Sequence, residues 1–429
     1  MFDLTKTMLF TTAALCCASP APAQKALPSP PANPGAERLT DSPALPYLMA
    51  DEKLSAAEAR DILMLQSDIQ SLLASNSLTG RDDFVDLVVR NKPYQIILTF
   101  ERDVEVNEVI ALVPQRLRRY VKVRKAKHVK LSRTESIRSL TAALRSANSR
   151  FAVGYDADRE LFFVDTADAA TTASLQRLVP ANLTSEVIFL SGALPQPTSN
   201  PNAKPTGVVP GDGVWAGWSA YTVGSNAACT LGFAITFATG LEGILTASHC
   251  TEPKFIPVET HSYTFPDTYY ESPTTGNYDY AIYRTDGLRS DYQLFYNNKR
   301  STAGYGTSGW LLVKNFIRLA NQWVGMYTCT SGHTSGLTCA KVLSKTYDWN
   351  RTGSSVWVRL SSSTSITEGG DSGGPAFVTL DNSRPSEVTA VGIVAGGGGP
   401  YENVGYTSVI MPIDRVFDHV PNVKLKTAP

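Results

Sequence analysis

The residues best placed to do chemistry lie in a glycine-rich run, Glu-Gly-Gly-Asp-Ser-Gly-Gly-Pro, at positions 368–375. Gly370 has no Cβ, so its backbone amide can turn toward a reacting carbonyl. The amide of Ser372 can converge on the same oxygen, while the Ser372 hydroxyl points out of the turn. This run therefore predicts an acyl-transfer site, with Ser372 as nucleophile and the amides of Gly370 and Ser372 as an oxyanion hole.

A serine hydroxyl needs a general base, because it is a weak acid at neutral pH. His249 lies in Leu-Thr-Ala-Ser-His-Cys at positions 245–250, after an apolar strand predicted at 243–247. A buried aspartate should fix the imidazole tautomer and stabilise the imidazolium. Asp279 opens a short apolar run and is the predicted third residue, with Asp267 and Asp286 as alternatives.

Residues from about 212 to 420 resemble bacterial chymotrypsin-like serine proteases of the α-lytic protease and streptogrisin group. The resemblance rests on the serine and histidine motifs, on Cys-Thr-Leu-Gly-Phe at 229–233, and on Cys-Thr-Ser-Gly-His-Thr-Ser-Gly-Leu-Thr-Cys at 329–339. It implies two six-stranded antiparallel β-barrels, with a triad of His249, Asp279 and Ser372 in the cleft between them. The chain order His, Asp, Ser is that of the chymotrypsin family.

Four cysteines remain after the first 23 residues, and an even number in a secreted chain favours disulfides. The sequence alone allows three pairings, and the resemblance favours Cys229–Cys250 with Cys329–Cys339. A metal site is the competing interpretation. The chain contains neither a Cys-x-x-Cys spacing nor a histidine cluster, so we expect no metal and no cofactor.

The predicted substrate pocket is apolar. Ile366 stands six residues before Ser372, where trypsin-like enzymes carry an aspartate that selects basic side chains. Ala395, Gly396 and Gly397 resemble the segment that pairs with the substrate backbone, with Ala395 in place of a serine common in the family.

The environment of Asp371, the residue before the nucleophile, is left open by the sequence. The chain has no Ile/Val-Gly-Gly start that could pair with Asp371 after processing, and Thr330 stands where the bacterial relatives carry an arginine. Asp371 must therefore have another partner.

The first 23 residues are typical of a signal peptide, with Lys6, a short apolar run and an Ala-Pro-Ala cleavage site. The apolar run is too short to span a bilayer, so we expect a secreted protein without membrane attachment. The formal net charge is zero, which gives no electrostatic case for nucleic acid. The basic stretch at 116–130 is interpreted as a solvated strand face rather than a nucleic-acid or lipid site.

Residues 24–190 predict an α+β domain that differs in character from the rest of the chain. Helices are predicted at 54–73, 106–117, 132–144 and 167–178, and strands at 94–100, 120–129, 151–153, 160–165 and 186–190. The sequence also predicts capping boxes at Ser55/Glu58 and Ser132/Glu135. In the resembling group such a segment is a pro-domain that assists folding and then inhibits the protease.

Residues 191–211 are rich in proline and polar residues, so we expect an extended, exposed linker that contains the processing site. Residues 212–429 form the predicted protease domain, a monomer when mature. The predicted function is a secreted serine endopeptidase that acts on proteins or peptides through an acyl-enzyme. The alternative is a catalytically inactive binding protein of the same fold.

Overall fold

The computed structural model describes residues 41–197, 213–222, 228–250, 255–257, 269–270, 278–285, 289–296, 309–349, 351–353, 357–401 and 404–429. The predicted signal peptide, the alternative residues Asp267 and Asp286, and the linker beyond residue 197 lie outside these stretches. Residues 41–197 are called the N-terminal segment below, and residues 213–429 the C-terminal segment.

Most helices of the described chain lie in the N-terminal segment. In chain order they are α1 Leu45–Glu52, α2 Ala56–Ala74, α3 Val106–Leu112, α4 Lys130–Leu144, α5 Ala169–Gln176 and, in the C-terminal segment, α6 Ile413–His419. The strands of the N-terminal segment are β1 Phe84–Asn91, β2 Tyr94–Phe100, β3 Val121–Lys125, β4 Phe151–Asp156, β5 Leu161–Thr166, β6 Val187–Ser191 and β7 Gln196–Pro197. The alternation of helices and strands agrees with the predicted α+β character.

The capping box at the start of α2 is present as predicted. The Ser55 amide donates to the Glu58 carboxylate at 2.8 Å, and the Glu58 amide donates to the Ser55 hydroxyl at 3.3 Å. The second predicted capping box is wrong, because α4 begins two residues earlier than expected. Ser132 therefore lies inside the first turn, where its hydroxyl donates to the carbonyl of Val129.

Two other boundaries differ from the sequence prediction for local reasons. Helix α3 ends at Leu112 instead of 117, because Val113 precedes a proline and takes an extended conformation. Strand β3 ends at Lys125 instead of 129, because α4 starts at Lys130. Helix α1 and strand β1 were not predicted.

The C-terminal segment consists almost entirely of strands. They are β8 Gly213–Ala216, β9 Ser219–Thr222, β10 Ala228–Thr230, β11 Ala234–Phe237, β12 Glu242–Thr246, β13 Phe255–Pro257, β14 Tyr269–Tyr270, β15 Ala281–Arg284, β16 Arg289–Tyr296, β17 Gly309–Phe316, β18 Tyr327–Gly332, β19 Gly336–Asp348, β20 Trp357–Ser362, β21 Pro375–Val378, β22 Glu387–Tyr401, β23 Gly405–Pro412 and β24 Val423–Leu425. The fold is mainly β, as predicted.

The strands form four sheets in the described part of the chain. Two of them belong to the C-terminal segment, with strand orders β10-β9-β13 and β14-β15-β12-β11-β24; all their strands come from the first half of the segment except β24, which comes from its end. A third sheet, β1-β2-β3, belongs to the N-terminal segment. The fourth contains 13 strands drawn from both segments. The finer prediction of two six-stranded barrels stays a prediction.

The two segments are joined through this large sheet. Strand β4 pairs antiparallel with β19, with Gly154 opposite Tyr347, and β7 pairs antiparallel with β22. One buried apolar cluster also includes residues of both segments, among them Leu48, Phe163 and Trp357. The N-terminal segment is therefore packed against the C-terminal segment as part of one core.

The predicted exposure of the linker is confirmed at Ala193 and Gln196 but is wrong at the two residues between them. Leu194 is 6% exposed and Pro195 is also buried. The reason is close packing on β22, where the Gly399 amide donates to the carbonyl of Ala193 at 2.8 Å. No helix in the described stretches has the length and apolar character that a membrane span requires.

Candidate active site

The loop that carries His249 is fixed on both sides. Strand β12 pairs with β11 and β15, and the chain then turns through a short 3₁₀ helix, Ser248–Cys250. A disulfide joins Cys250 to Cys229 on β10. The histidine is therefore held between a sheet and a covalent crosslink, which limits the motion of its backbone.

The structure brings His249, Asp279 and Ser372 together, although they are far apart in the sequence. The Ser372 hydroxyl lies 2.7 Å from Nε2 of His249, and Oδ2 of Asp279 lies 2.8 Å from Nδ1. The carboxylate selects the tautomer with its proton on Nδ1, which leaves Nε2 free to accept the serine proton. The arrangement can perform nucleophilic catalysis with a general base.

Asp279 is buried and strongly hydrogen-bonded. Burial opposes its charge, but the His249 imidazole, the Ser248 hydroxyl and the His249 amide together hold its pKa below the usual range. The hydroxyl of Ser248 donates to Oδ1 at 2.7 Å. Sequence reasoning missed this contact. A pair of exchanges in the sequence could have indicated it. Ser248 stands where the resembling proteases carry an alanine, and Ala395 stands where they commonly carry a serine.

The turn that carries Ser372 is anchored by Asp371. Its buried carboxylate accepts hydrogen bonds from the amides of Glu368 and Thr334, each at 2.7 Å, and of Ser335 at 3.0 Å. Burial raises the pKa of Asp371, and these donors partly offset that effect. The partner that the sequence left open is thus a set of main-chain amides, two of them from the loop closed by the Cys329–Cys339 disulfide.

The glycines around the serine serve two separate needs. Gly370 has φ +106°, and Gly373 has φ +83°, conformations that L side chains rarely adopt. At Gly373 a Cβ would also collide with Thr246 on β12. The turn can therefore approach β12, the strand that precedes His249, only with glycine at that position.

The predicted pocket residues have different surroundings. Ile366 is 1% exposed and belongs to a buried apolar cluster, and its carbonyl accepts a hydrogen bond from Thr338. Ala395 is fully buried. Gly396 and Gly397 are paired with the chain's own β7, with Pro197 opposite Gly396 and Gln196 opposite Gly397. The described residues contain no cluster of His, Cys, Asp and Glu side chains suited to a metal ion.

The motifs, the three-residue contact and the likeness to a known protease all indicate one class of enzyme. The chain is similar to bacterial chymotrypsin-like serine proteases, and its activity is that of a serine endopeptidase. It is 27% identical over 195 residues to Serine protease 2 of Streptomyces fradiae, a match that covers 45% of this chain and 99% of the relative. No family model matches the sequence.

Solved structures of similar proteins were also found. Nocardiopsis protease (NAPase) is 22% identical, with a TM-score of 0.37, and the match covers 50% of this chain and 99% of that protein. Thermobifida fusca Protease A is 24% identical, with a TM-score of 0.37, and the match covers 50% of this chain and 100% of that protein.

Proposed function

We propose that the protein is a secreted serine endopeptidase made as a preproprotein. Ser372 attacks the scissile carbonyl while Nε2 of His249 takes its proton, and the amides of Gly370 and Ser372 stabilise the oxyanion. His249 then protonates the leaving amine, which leaves an acyl group on Ser372. Water, deprotonated by His249, releases this acyl group and restores the serine.

One observation carries the proposal. The imidazole of His249 bridges the Ser372 hydroxyl, at 2.7 Å, and the Asp279 carboxylate, at 2.8 Å. In the proposed mechanism Asp279 orients the ring and stabilises the imidazolium, which its lowered pKa favours because the carboxylate remains charged.

We propose that residues 24–190 are a pro-domain that both inhibits the protease and assists its folding. Support for inhibition comes from β7 in the linker that directly follows this domain, whose Gln196 and Pro197 pair with the proposed substrate-binding residues Gly397 and Gly396. While β7 is paired with β22 at these two glycines, the backbone of a substrate cannot pair there. The register also implies that the processing site lies after Pro197, within the predicted linker of 191–211.

Support for a folding role comes from the pairing of β4 with β19. Strands β19 and β20 form a long hairpin, and long-range strand pairing is slow to form without a template. The N-terminal segment supplies a neighbouring strand for this hairpin. Expression of residues 205–429 alone should give little activity, and addition of 24–204 should restore it. Efficient folding without 24–204 would contradict this role.

The remaining parts of the proposal follow from the class and from the sequence. The signal peptide of residues 1–23 and the two disulfides fit an extracellular or periplasmic enzyme. We propose that residues 212–429 form two six-stranded barrels that act as a monomer on protein or peptide substrates. Ile366 and the two glycines favour an apolar side chain at the cleaved position, and we propose no nucleic-acid or membrane partner.

Covalent labelling tests the catalytic assignment. A fluorophosphonate should attach once to the processed form, at Ser372, and Ser372→Ala or His249→Ala should abolish the adduct. Asp279→Asn should keep the fold but slow the labelling strongly, because the wrong imidazole tautomer would face the serine. A processed form that does not react would favour the inactive binding protein instead.

A further inference from the structure

The oxyanion donor predicted at Gly370 belongs to a peptide group flanked by glycines on both sides. The C=O of Gly369 and the N–H of Gly370 point in opposite directions, as in any trans peptide. Because neither residue has a Cβ, rotation of this peptide group is cheap compared with that of any other residue pair. A rotated peptide would aim a carbonyl oxygen, instead of an amide, at the developing oxyanion.

One side chain holds this peptide group. The hydroxyl of Thr334 donates a hydrogen bond to the carbonyl oxygen of Gly369. Thr334 is itself fixed, since its amide donates to Asp371 at 2.7 Å and its loop is closed by the Cys329–Cys339 disulfide. A carbonyl held on the side of Thr334 places the Gly370 amide on the opposite side.

The next peptide group is held by a separate contact. The Thr230 hydroxyl donates to the carbonyl of Gly370 at 2.8 Å, and the amide of His333 donates to that hydroxyl at 2.8 Å. The turn after Gly370 is therefore anchored independently of Thr334. Loss of the Thr334 hydroxyl would release the Gly369–Gly370 peptide while leaving the Ser372 side of the turn in place.

We propose that Thr334 is a positioning residue for the oxyanion hole, acting by locking the Gly369–Gly370 peptide so that the Gly370 amide faces the reacting carbonyl. The inference rests on the proposed function, because it concerns the same oxyanion. Thr334 does not touch substrate in this role. Thr334 sets the fraction of enzyme molecules in which the Gly370 amide points toward the reacting carbonyl.

The test compares Thr334→Ala with Thr334→Ser, which differ from each other only by the hydroxyl. Each is made as the full chain, allowed to process, and counted by fluorophosphonate titration, so that kcat refers to working sites. Ser331→Ala is the matched control, because Ser331 lies in the same loop and donates to the carbonyl of Phe295 at 3.0 Å, away from the oxyanion turn. Thr334→Val repeats the test if the alanine variant does not fold.

Thr334→Ala should lower kcat on a chromogenic peptide by about 10-fold to 100-fold, with KM changed less than about threefold, because loss of an oxyanion donor acts on the transition state. Thr334→Ser should recover most of the rate, and Ser331→Ala should keep it. A peptide aldehyde, whose adduct carries an oxyanion, should bind Thr334→Ala more weakly by a similar factor.

Several results would overturn the inference. They are an unchanged kcat in Thr334→Ala, an equal loss in Ser331→Ala, or failure of Thr334→Ser to recover activity. These outcomes differ from failure of the proposed function, in which the wild-type processed form neither reacts with the fluorophosphonate nor cleaves the peptide.

Discussion

Replacement of Asp165 by alanine should loosen the attachment of the N-terminal segment, because it leaves a buried cation without a counter-charge. Asp165 lies on β5, and Arg359 lies on β20 of the C-terminal segment. Their closest charged atoms are 3.1 Å apart, and both side chains are 0% exposed. The Tyr347 hydroxyl also donates to Asp165, at 2.7 Å.

The surroundings of Arg359 allow the size of the effect to be worked out. The guanidinium lies over three aromatic rings, with centroid distances of 4.9 Å to Phe163, 5.0 Å to Tyr401 and 5.7 Å to Tyr347. These rings stabilise the cation only in part. Removal of one partner of a buried ion pair costs about 3–5 kcal/mol, which corresponds to roughly 150-fold to 4,000-fold in an equilibrium constant.

The assay is urea unfolding of the full chain in a Ser372→Ala background, which should prevent self-processing. With a slope of roughly 3–4 kcal/mol per M for a chain of this size, Asp165→Ala should lower the midpoint by about 1 M. Asp165→Asn should cost less, since its amide oxygen can either accept from the Tyr347 hydroxyl or face the Arg359 cation.

The matched control removes all the polar partners together. A variant with Asp165→Leu, Tyr347→Phe and Arg359→Met should be close to the parent, because a buried ion pair and an apolar replacement of similar volume often contribute about equally. A midpoint for Asp165→Ala within about 0.2 M of the parent would refute the reasoning, as would an equal loss in the triple variant.

Three further predictions concern other contacts. Asp86 faces Lys345 and Arg133, and although burial opposes its charge, these cations hold its pKa below the usual 3.8. Its contribution is therefore fully present above about pH 4 and lost as the pH falls through the lowered value. Asp86→Asn should destabilise the Ser372→Ala chain by about 3 kcal/mol at pH 6, and the difference should shrink below pH 3.8, as urea midpoints would reveal. Ser248→Ala should lower kcat about tenfold with little change in KM, because it removes a hydrogen bond to the charged Asp279, and Ala395→Ser in that background should restore part of the rate; an unchanged kcat would contradict the role. Gly396→Ala should raise KM and weaken self-inhibition together, because a Cβ there would lie 2.6 Å from the carbonyl oxygen of Gln196; a change in only one of the two would argue against a shared strand.

The sequence could predict those parts of the fold that depend on neighbouring residues. The Ser55/Glu58 capping box and strand β2 were placed correctly, since their signals lie within a few positions of one another. The run around Ser372 and the context of His249 predicted which side chains meet, because both motifs are local. Their contact distance was not derivable from the sequence and follows only from the fold.

Contacts between distant parts of the chain were outside the reach of sequence reasoning. The Ser248 hydroxyl, the amides that hold Asp371 and the Thr334 hydroxyl each act across a turn whose shape depends on the loop at 329–339. The burial of Leu194 was mispredicted for a related reason. A proline-rich composition indicates an extended chain, but it does not reveal that this chain packs against and pairs with β22.

The ion pairs between the two segments bear on the proposed role of the N-terminal segment as an inhibitor. In the part that the structure describes, the pairs are Lys341–Glu52, Lys345–Asp86 and Arg359–Asp165, with the cation always in the C-terminal segment. In the proposed precursor, the linker keeps the two surfaces at a high effective concentration, so even modest contacts would hold β7 on β22.

In the proposed maturation, cutting of the linker makes the association bimolecular, so it falls with dilution. We expect the three carboxylates to set how long the cut segment stays bound. A buried ion pair adds little net affinity over an apolar contact, yet a mismatched partner would leave its charge unpaired at a cost of several kcal/mol. The polarity of this interface therefore favours recognition of the chain's own N-terminal segment over other occupants of β22, and in the proposed maturation it would permit release once the linker is cut.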